Sequence, residues 1–260
     1  MTKQDPTVGQ VTEFYDAFLE ERMVDYRLSS NKRLAMASDA LKDIVQDGDR
    51  VADIGCGIGM IAEEIGRSFP ESEVIGVDLS SANIQYAKKT VDLPNVTFFA
   101  SDITSQIDQL RSAQPTGYNV VFLIDVIEHV PENERAELLK SLASIATEGA
   151  TLFLAYPSPE YQDYLRAEDP EELQVIDNNV DAHNLVAEAN EAGWMLKSYR
   201  YRDVWREGQY IHASFVKSSK VGQLTPVRPT LGEVLRTRLL DPVMRPFKRR
   251  KYVVGKLDSN

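Results

Sequence analysis

Short apolar runs alternate with amphipathic segments of helical period through the middle of the chain. This alternation is typical of βαβ units, which build a parallel sheet with helices on both faces. The helices are predicted to begin near Met60, Ser81 and Asn133, whereas the stretch after Ser101 fits neither pattern. The apolar runs predict strands at residues 50–54, 73–77, 96–100, 119–124 and 150–155.

The pattern continues beyond the fifth strand. Asp181 has the position of a helix N-cap before residues 183–192, and Gly193 stands just past the predicted end of that helix. Residues 195–202 and 210–217 then predict two strands joined by a polar loop. Because the strands of a hairpin pair antiparallel, the predicted fold is a doubly wound α/β fold with a mostly parallel seven-stranded sheet.

The two ends of the chain differ from this core. Residues 11–26 predict a helix that can cover an apolar surface. In the tail, prolines leave only residues 230–240 as a predicted helix. We therefore divide the chain into an N-terminal helical cap at 1–47, a core at 48–218 and a C-terminal extension at 219–260.

Composition narrows the class of protein. The 260 residues are 43% hydrophobic, which is enough for a sizeable core. The single cysteine, Cys56, has no partner for an internal disulfide, and the first residues carry no apolar signal segment. No run approaches the roughly 18 apolar residues of a transmembrane helix. We therefore expect a soluble, cytoplasmic protein.

Charge is distributed unevenly along the chain. The net charge is −11, yet residues 219–260 hold ten Lys or Arg against three acids, a net +7, so that residues 1–218 carry −18. So acidic a body disfavours a nucleic acid partner. The basic tail includes a cluster of four cationic residues at 248–251. It is suited to peripheral contact with an anionic membrane, or to contact with an acidic face of this chain or of a second subunit. An oligomer is therefore compatible with the sequence.

The first predicted strand leads into a loop with three alternating glycines, which reads Asp53-Ile54-Gly55-Cys56-Gly57-Ile58-Gly59. Glycine lets the backbone turn sharply and approach a ligand closely, although a strand-to-helix turn also needs glycine for packing alone. Asp78 follows the second strand, about 20 residues on, where a carboxylate typically holds the two hydroxyls of a ribose. A helix N-cap or a loop carboxylate is the alternative role for Asp78.

A dinucleotide would also fit a loop of this kind. Its fingerprint is G-x-G-x-x-G, but a frame that starts at Gly55 ends on Met60, and a frame from Gly57 ends on Ala62. The carboxylate of Asp53 would sit badly beside a pyrophosphate and well beside a cationic amino group. The loop therefore favours a cofactor with an amino group over a nicotinamide dinucleotide.

Four segments in this order and spacing resemble the successive motifs of class I S-adenosylmethionine (SAM)-dependent methyltransferases. They are Val51 to Gly59, Val77-Asp78-Leu79-Ser80, Ala100-Ser101-Asp102-Ile103 and Phe122 to Val130. The resemblance covers roughly residues 48 to 217. It implies a SAM-dependent methyltransferase, with S-adenosylhomocysteine (SAH) as the product and no metal.

The resemblance also implies roles for individual residues. The methionine half of SAM would be lined by Asp53, Gly55 and Gly57, with Cys56 as a small packing group among them. Asp78 would hold the ribose hydroxyls.

The adenine and the sulfonium have their own implied contacts. Leu79 and Ile103 would pack on the adenine, and Asp102 would accept from its amino group. Ile124 and Asp125 would close the pocket below the sulfonium. Tyr15 would either reach over the methionine end from the predicted cap or simply pack there.

Candidate catalytic residues lie beyond the fourth and fifth strands. His129 is the best candidate for a general base, with fixing of its loop as the alternative role, and His183 is a second candidate near the acceptor. His212, inside the last predicted strand, is taken as structural. Arg27 and Arg33 are interpreted as solvated surface residues, with contact to the cofactor carboxylate or to an anionic acceptor as the alternative.

The acceptor side is predicted to include an irregular insertion at residues 156–181, rich in tyrosines and acids. Such groups suit a hydroxylated, sugar-like or amine acceptor. We expect methyl transfer to a small-molecule or glycan acceptor, with O-methylation favoured over N-methylation. The alternatives are a SAM-binding regulatory or interaction protein without transferase activity, and a nicotinamide-dependent dehydrogenase.

Overall fold

The computed structural model describes residues 27, 31–103, 106–173, 177–218, 230–240, 242–244 and 246. The predicted cap helix, including Tyr15, and the basic cluster at 248–251 lie outside these residues. The chain divides into two compact units, Met1–Ser219 and Lys220–Asn260.

The first unit is built on one seven-stranded sheet with the order β3-β2-β1-β4-β5-β7-β6. Its strands are β1 Arg50–Ile54, β2 Glu73–Asp78, β3 Val96–Ala100, β4 Tyr118–Ile124, β5 Ala146–Pro157, β6 Trp194–Arg202 and β7 Tyr210–Lys217. Neighbours among β1 to β5 pair parallel, and β7 pairs antiparallel with both β5 and β6. The predicted sheet and its closing hairpin are therefore confirmed.

Helices connect the strands of this unit. They are α1 Lys32–Lys42, α2 Met60–Ser68, α3 Ser81–Thr90, α4 Ile107–Ala113, α5 Glu132–Ile145, α6 Pro159–Glu168 and α7 Ala182–Glu191. The Asp181 side chain accepts from the backbone N–H groups of His183 and Asn184, which makes it the predicted N-cap of α7.

Two apolar cores hold the helices to the sheet, one on each face. Leu110 of α4, Leu139 of α5 and Leu185 of α7 belong to one core, and α1, α2 and α3 contribute to the other. This division confirms the doubly wound fold. Because helices cover both faces, ligands have access to the sheet at the carboxyl ends of its strands.

The structure corrects three details of the prediction. Helix α4 was not assigned because Leu110 is its one buried residue, which leaves no apolar periodicity. Strand β5 begins at Ala146 instead of residue 150, since its polar start pairs irregularly with Tyr118 of β4. The predicted irregular insertion contains α6, which is capped by the Ser158 side chain and has Pro159 in its first turn.

The second unit contains a short α-helix α8, Leu231–Leu235, followed by a π-helix, Arg236–Leu240. The prediction of helix at 230–240 is thus close to the structure. Leu231, Leu235 and Leu239 are exposed there. Across the described parts of both units, no helix is long and apolar enough to span a bilayer.

Candidate functional site

A cavity of about 430 Å³ opens at the carboxyl ends of β1, β2 and β4. The structure brings nearly all predicted cofactor residues to its wall. The loop after β1 contributes Asp53, Gly55, Cys56 and Gly57; the ends of β2, β3 and β4 contribute Asp78, Leu79, Asp102, Ile103, Ile124 and Asp125. His129 also lines the cavity.

The glycine loop is tied to the end of β2. The backbone N–H groups of Gly55 and Cys56 both donate to the carbonyl of Val77, over 2.8 and 2.9 Å. Gly55 and Gly59 have positive φ angles of 73° and 77°. A Cβ at Gly55 would overlap Cγ2 of Val126, so that position requires glycine for packing as well as for the turn.

Asp78 braces this loop from the end of β2. Its Oδ2 accepts from the backbone N–H of Gly57 over 2.8 Å, and its Oδ1 accepts from the N–H of Ser80 over 2.9 Å. The side chain of Ser80, and not that of Asp78, caps α3 by accepting from Asn83 N–H. The alternative role of Asp78 as a helix cap is therefore wrong, whereas its alternative role as a loop carboxylate agrees with these hydrogen bonds.

Asp53 lies deep in the cavity wall and is 3% exposed. Its Oδ2 is buried and accepts no hydrogen bond from the described residues. Burial, and secondly the charge of Asp78, raise the pKa of the Asp53 carboxyl well above its usual range. A buried carboxylate with an unpartnered oxygen is stabilised by a cationic donor such as an ammonium group.

Cys56 is partly buried and packs against the core that α1, α2 and α3 form with the sheet. Burial, followed by the charges of Asp53 and Asp78, raises the pKa of the Cys56 thiol well above its usual value. Because the thiolate is the nucleophilic form, this cysteine is poorly suited to covalent chemistry.

Arg33 and Asp125 form an ion pair at the cavity wall. Arg33 Nε lies 3.1 Å from Asp125 Oδ2, and the side chains are 20% and 16% exposed. Arg33 also donates from Nη1 to the Tyr210 hydroxyl over 2.9 Å. Asp125 has a φ of 55°, which is strained for a residue other than glycine. The interpretation of Arg33 as a solvated surface residue is therefore wrong.

Arg27 was likewise expected at the surface, but its guanidinium is bound on both sides. Nη1 donates to Glu63 Oε2 over 2.7 Å, and Nη2 donates to Thr90 Oγ1 over 2.9 Å. Its side chain is 20% exposed. Unlike Arg33, Arg27 does not line the cavity.

Three ionisable side chains meet on the other side of the cavity. His129 Nδ1 lies 3.2 Å from Asp177 Oδ1, and His129 Nε2 lies 3.8 Å from Glu128 Oε1. Burial, and secondly the charge of Asp125, raise the pKa of Glu128 well above its usual value. If Nδ1–H donates to Asp177, Nε2 is left as an acceptor, which is the form that a general base requires.

The segment that carries Asp177 is held by two arginines. Arg166 donates from Nη2 to the Asp177 carbonyl over 2.6 Å, and the buried Arg135 donates to the carbonyls of Val130 and Asn179. Backbone N–H of Asn178 donates to the Glu128 carbonyl over 3.0 Å. Hydrogen bonds from Arg166, Arg135 and the Asn178 backbone therefore fix the position of Asp177 relative to His129.

The remaining histidines lie elsewhere. His183 is exposed at the start of α7 and is not among the cavity residues, so the structure does not bring this candidate to the site. His212 is 7% exposed in β7 and packs edge to face on Phe153, in keeping with a structural role. Within the described residues, no cluster of His, Cys, Asp and Glu is arranged to hold a metal ion.

Sequence reasoning did not single out several residues of the wall, namely Asp177, Gln162, Trp205, Gln209 and Tyr210. The first two lie within the segment predicted for the acceptor side, at 156–181, and the other three lie in the β6–β7 loop and at the start of β7, which no recognised motif covers. Their one signal was the density of tyrosines and acids after residue 156.

Comparisons with known proteins identify the central part of the chain. Residues 51–149 match the family model described as Methyltransferase domain. Trans-aconitate 2-methyltransferase of Afipia carboxidovorans is 28% identical over 133 residues, which are 51% of this chain and 48% of the relative. The ubiquinone biosynthesis O-methyltransferase of Hahella chejuensis is 30% identical over 115 residues, 42% of this chain and 43% of the relative. The matches thus span about half the length of these relatives.

The fold has a close counterpart among solved structures. Magnesium protoporphyrin IX methyltransferase from Synechocystis PCC 6803, with bound SAH, superposes with a TM-score of 0.64 at 16% identity, over 82% of this chain and all of that chain. Residues 51–149 therefore match a methyltransferase domain, and the unit that contains them shares the fold of this SAH-bound methyltransferase. The resemblance drawn from the sequence motifs is confirmed.

Proposed function

We propose that this protein transfers the methyl group of SAM to a hydroxyl group of a small-molecule or glycan acceptor. The observation that carries the proposal is the buried Asp53 carboxylate, with its unpartnered Oδ2, in a glycine loop braced by Asp78. A carboxylate oxygen with an unused acceptor position suits the ammonium group of the methionine moiety, and it is unfavourable beside a pyrophosphate.

The remaining residues of the loop region fit the other parts of SAM. Asp78 would accept from the ribose hydroxyls, Leu79 and Ile103 would pack on the adenine, and Asp102 would accept from its amino group. When bound, SAM supplies a methyl carbon activated by positively charged sulfur. Ile124 and Asp125 border the same cavity and would complete the wall below the sulfur.

On the acceptor side, His129 would remove a proton. With Nδ1 held by Asp177, Nε2 would accept the proton of an acceptor hydroxyl as that oxygen becomes the nucleophile. Base assistance of this kind contributes typically about 10² to 10⁴ in rate. This arrangement favours a hydroxyl over an amine, because a neutral amine can attack without prior loss of a proton.

The charges on the cavity wall restrict the acceptor further. Arg33 is its one Lys or Arg among the described residues and is paired with Asp125. The acids of the wall are Asp53, Asp78, Asp102, Asp125, Glu128, Glu172 and Asp177. A polyanionic acceptor would be repelled by such a wall, so the polycarboxylate named for the Afipia relative is disfavoured here.

A product assay tests the proposal. Full-length protein is incubated with methyl-labelled SAM and separate classes of acceptor: methyl glycosides, catechols, primary amines and tricarboxylates. We expect SAH to be formed and the labelled methyl group to appear in a hydroxylated acceptor, and we expect no label in the tricarboxylates. If the protein binds SAH but forms none from SAM with any class of acceptor, the regulatory alternative is favoured. Methyl transfer to amines alone would contradict the role given to His129.

A further inference from the structure

The acceptor end of the cavity has an aromatic wall that the cofactor does not explain. Trp205, in the loop between β6 and β7, lines the cavity although it is 60% exposed. Tyr161 of α6 lines the same cavity. An exposed tryptophan at the edge of a cavity is free to bind a ligand on one face.

The loop that carries Trp205 has a fixed backbone. The Gln209 side chain is 2% exposed, and its Oε1 accepts from the N–H groups of Trp205 over 2.8 Å and Arg206 over 3.1 Å. Gly208 N–H donates to Asp203 Oδ1 over 2.7 Å. The backbone of the loop that carries the indole is therefore fixed at the edge of the cavity.

A second set of contacts joins this loop to α6. Arg206 stacks over the Tyr164 ring, with its guanidinium carbon 4.2 Å from the ring centroid, and donates from Nη2 to the Tyr164 hydroxyl over 2.7 Å. Tyr164 stacks on Tyr161, with centroids 6.1 Å apart. Tyr161 is thus joined to the loop that carries Trp205 by a continuous row of side chains through Tyr164 and Arg206.

Polar acceptors lie beside this aromatic wall. Gln162 is 1% exposed, lines the cavity, and has an Oε1 that is buried and accepts no hydrogen bond from the described residues. Glu128, with a buried and unpartnered Oε2, belongs to the same wall. Buried oxygens of this kind cost free energy until a donor reaches them.

We propose that this wall is a subsite for a pyranose ring, so that the acceptor is a sugar or a sugar-bearing molecule. The inference rests on the proposed methyl transfer and specifies its substrate class. The C–H face of a pyranose would pack on Trp205, while its hydroxyls would donate to the oxygens of Gln162 and Glu128. A polyol brings the several donors that this wall requires.

Other acceptor classes match the wall less well. A catechol would stack on Trp205 but brings just two hydroxyl donors, so more of the carboxylate and amide oxygens would stay unpaired. A polycarboxylate brings further negative charge to a wall that is already acidic. The combination of one exposed aromatic face with many acceptors favours a ring rich in hydroxyl groups.

Intrinsic fluorescence offers a direct test, because the chain has two tryptophans and just one of them, Trp205, lines the cavity. Trp194 is fully buried, and its Nε1 donates to the Leu139 carbonyl, whereas Trp205 is 60% exposed. Full-length protein saturated with SAH is titrated with methyl β-D-glucopyranoside, galactopyranoside, mannopyranoside and α-L-rhamnopyranoside. At least one is expected to give a saturable change in emission, with catechol and tricarballylate as comparison ligands.

Two variants connect the signal to the subsite. Trp205→Ala should weaken sugar binding, measured by saturation-transfer NMR, by about tenfold, the equivalent of one lost aromatic contact. Gln162→Leu should weaken it as well while leaving the melting temperature unchanged or higher, since a buried unpartnered oxygen is removed. In both variants SAH affinity should equal that of the unmodified protein.

The outcomes separate this inference from the proposed function. Saturable binding of catechol or tricarballylate with no response to any glycoside would overturn the pyranose subsite, while SAH binding would leave the proposed methyl transfer standing. Failure to bind SAH would overturn the proposed function, and glycoside binding lost in Trp205→Ala would still support the subsite.

Discussion

His129 Nδ1 lies 3.2 Å from Asp177 Oδ1, and the two side chains are 12% and 10% exposed. This contact joins a residue after β4 to one just before α7, across the acceptor side of the cavity. If it sets the tautomer of the imidazole, Asp177 acts as a positioning residue for a base at Nε2.

The substitution Asp177→Asn tests that relationship. An amide can donate or accept, so it no longer selects the His129 tautomer with Nε2 as acceptor. We expect kcat to fall by about 10- to 100-fold with little change in KM for SAM, which is less than the full contribution of a general base because the His129 imidazole itself remains. Asp108→Asn, at a side chain 82% exposed on α4, is the control and should leave kcat unchanged. An unaltered kcat in Asp177→Asn would refute the positioning role.

Asp53 predicts a pH dependence of cofactor binding. Burial and Asp78 raise the pKa of Asp53, so its ionised form is lost on acidification earlier than for an ordinary aspartate. Because the ionised form would pair with the ammonium group, SAH affinity should rise as pH increases through that pKa and then level off. Calorimetric titration across pH measures this. The Asp53→Asn variant should bind weakly and lose the trend; an unchanged slope would contradict the assignment.

Arg33 and Arg27 allow a matched comparison. Each arginine is 20% exposed and pairs with a largely buried acid, Asp125 or Glu63, but Arg33 alone lines the cavity. Changing either to Ala should lower the free energy of unfolding by about 1 to 3 kcal/mol, because a buried carboxylate loses its donor. Arg33→Ala should in addition weaken SAH binding. Equal SAH affinity in both variants would exclude a role for Arg33 at the site.

How much of the site was predictable depended on the kind of residue. The cofactor side lies on short turns after β1, β2, β3 and β4, where strand alternation and glycines locate Asp53 and Asp78 directly. Asp177 and Trp205 lie on longer connections, whose course depends on tertiary contacts such as those of Arg166 and Gln209. The local sequence pattern does not indicate these contacts.

The same distinction explains the errors at the level of single residues. Arg33 is a polar residue, and for this reason it was expected at the surface. In the structure it lies on α1, where Asp125 and Tyr210 contact its side chain at the edge of the sheet. His183 stands next to a well-predicted N-cap, Asp181, but the register of α7 directs it to solvent. The helix that carries His183 was predicted, whereas α1, which carries Arg33, was not, because the one helix predicted before the core was at residues 11–26. In both cases the surroundings of the side chain were decided by packing between distant segments.

His212 makes stability depend on pH. Burial, and secondly the charge of Arg202, lower the pKa of His212 from 6.5 to about 4. Acidification from pH 6.5 to about 4 therefore protonates the unfolded chain first and destabilises the fold, by about 3 kcal/mol at most for a shift of this size. Above pH 6.5 both states are neutral, and this contribution no longer changes.

The variant His212→Gln isolates this effect. Denaturant unfolding at several pH values should show a smaller loss of stability on acidification than in the unmodified protein, even if the variant is less stable at pH 8. Comparing the slopes cancels the contributions of Asp53 and Glu128, which are common to both proteins. Parallel slopes would show that His212 does not titrate as its burial implies.

Calorimetric titration of the full-length protein with SAH and, separately, with NAD tests directly whether the cavity binds SAM and not a dinucleotide. We expect saturable binding of SAH at one site per chain and no heat with NAD. In Asp78→Asn the SAH affinity should fall by about 10- to 100-fold, as expected for lost hydrogen bonds to a charged group. Heat with NAD and none with SAH would contradict the assignment of the cavity to SAM.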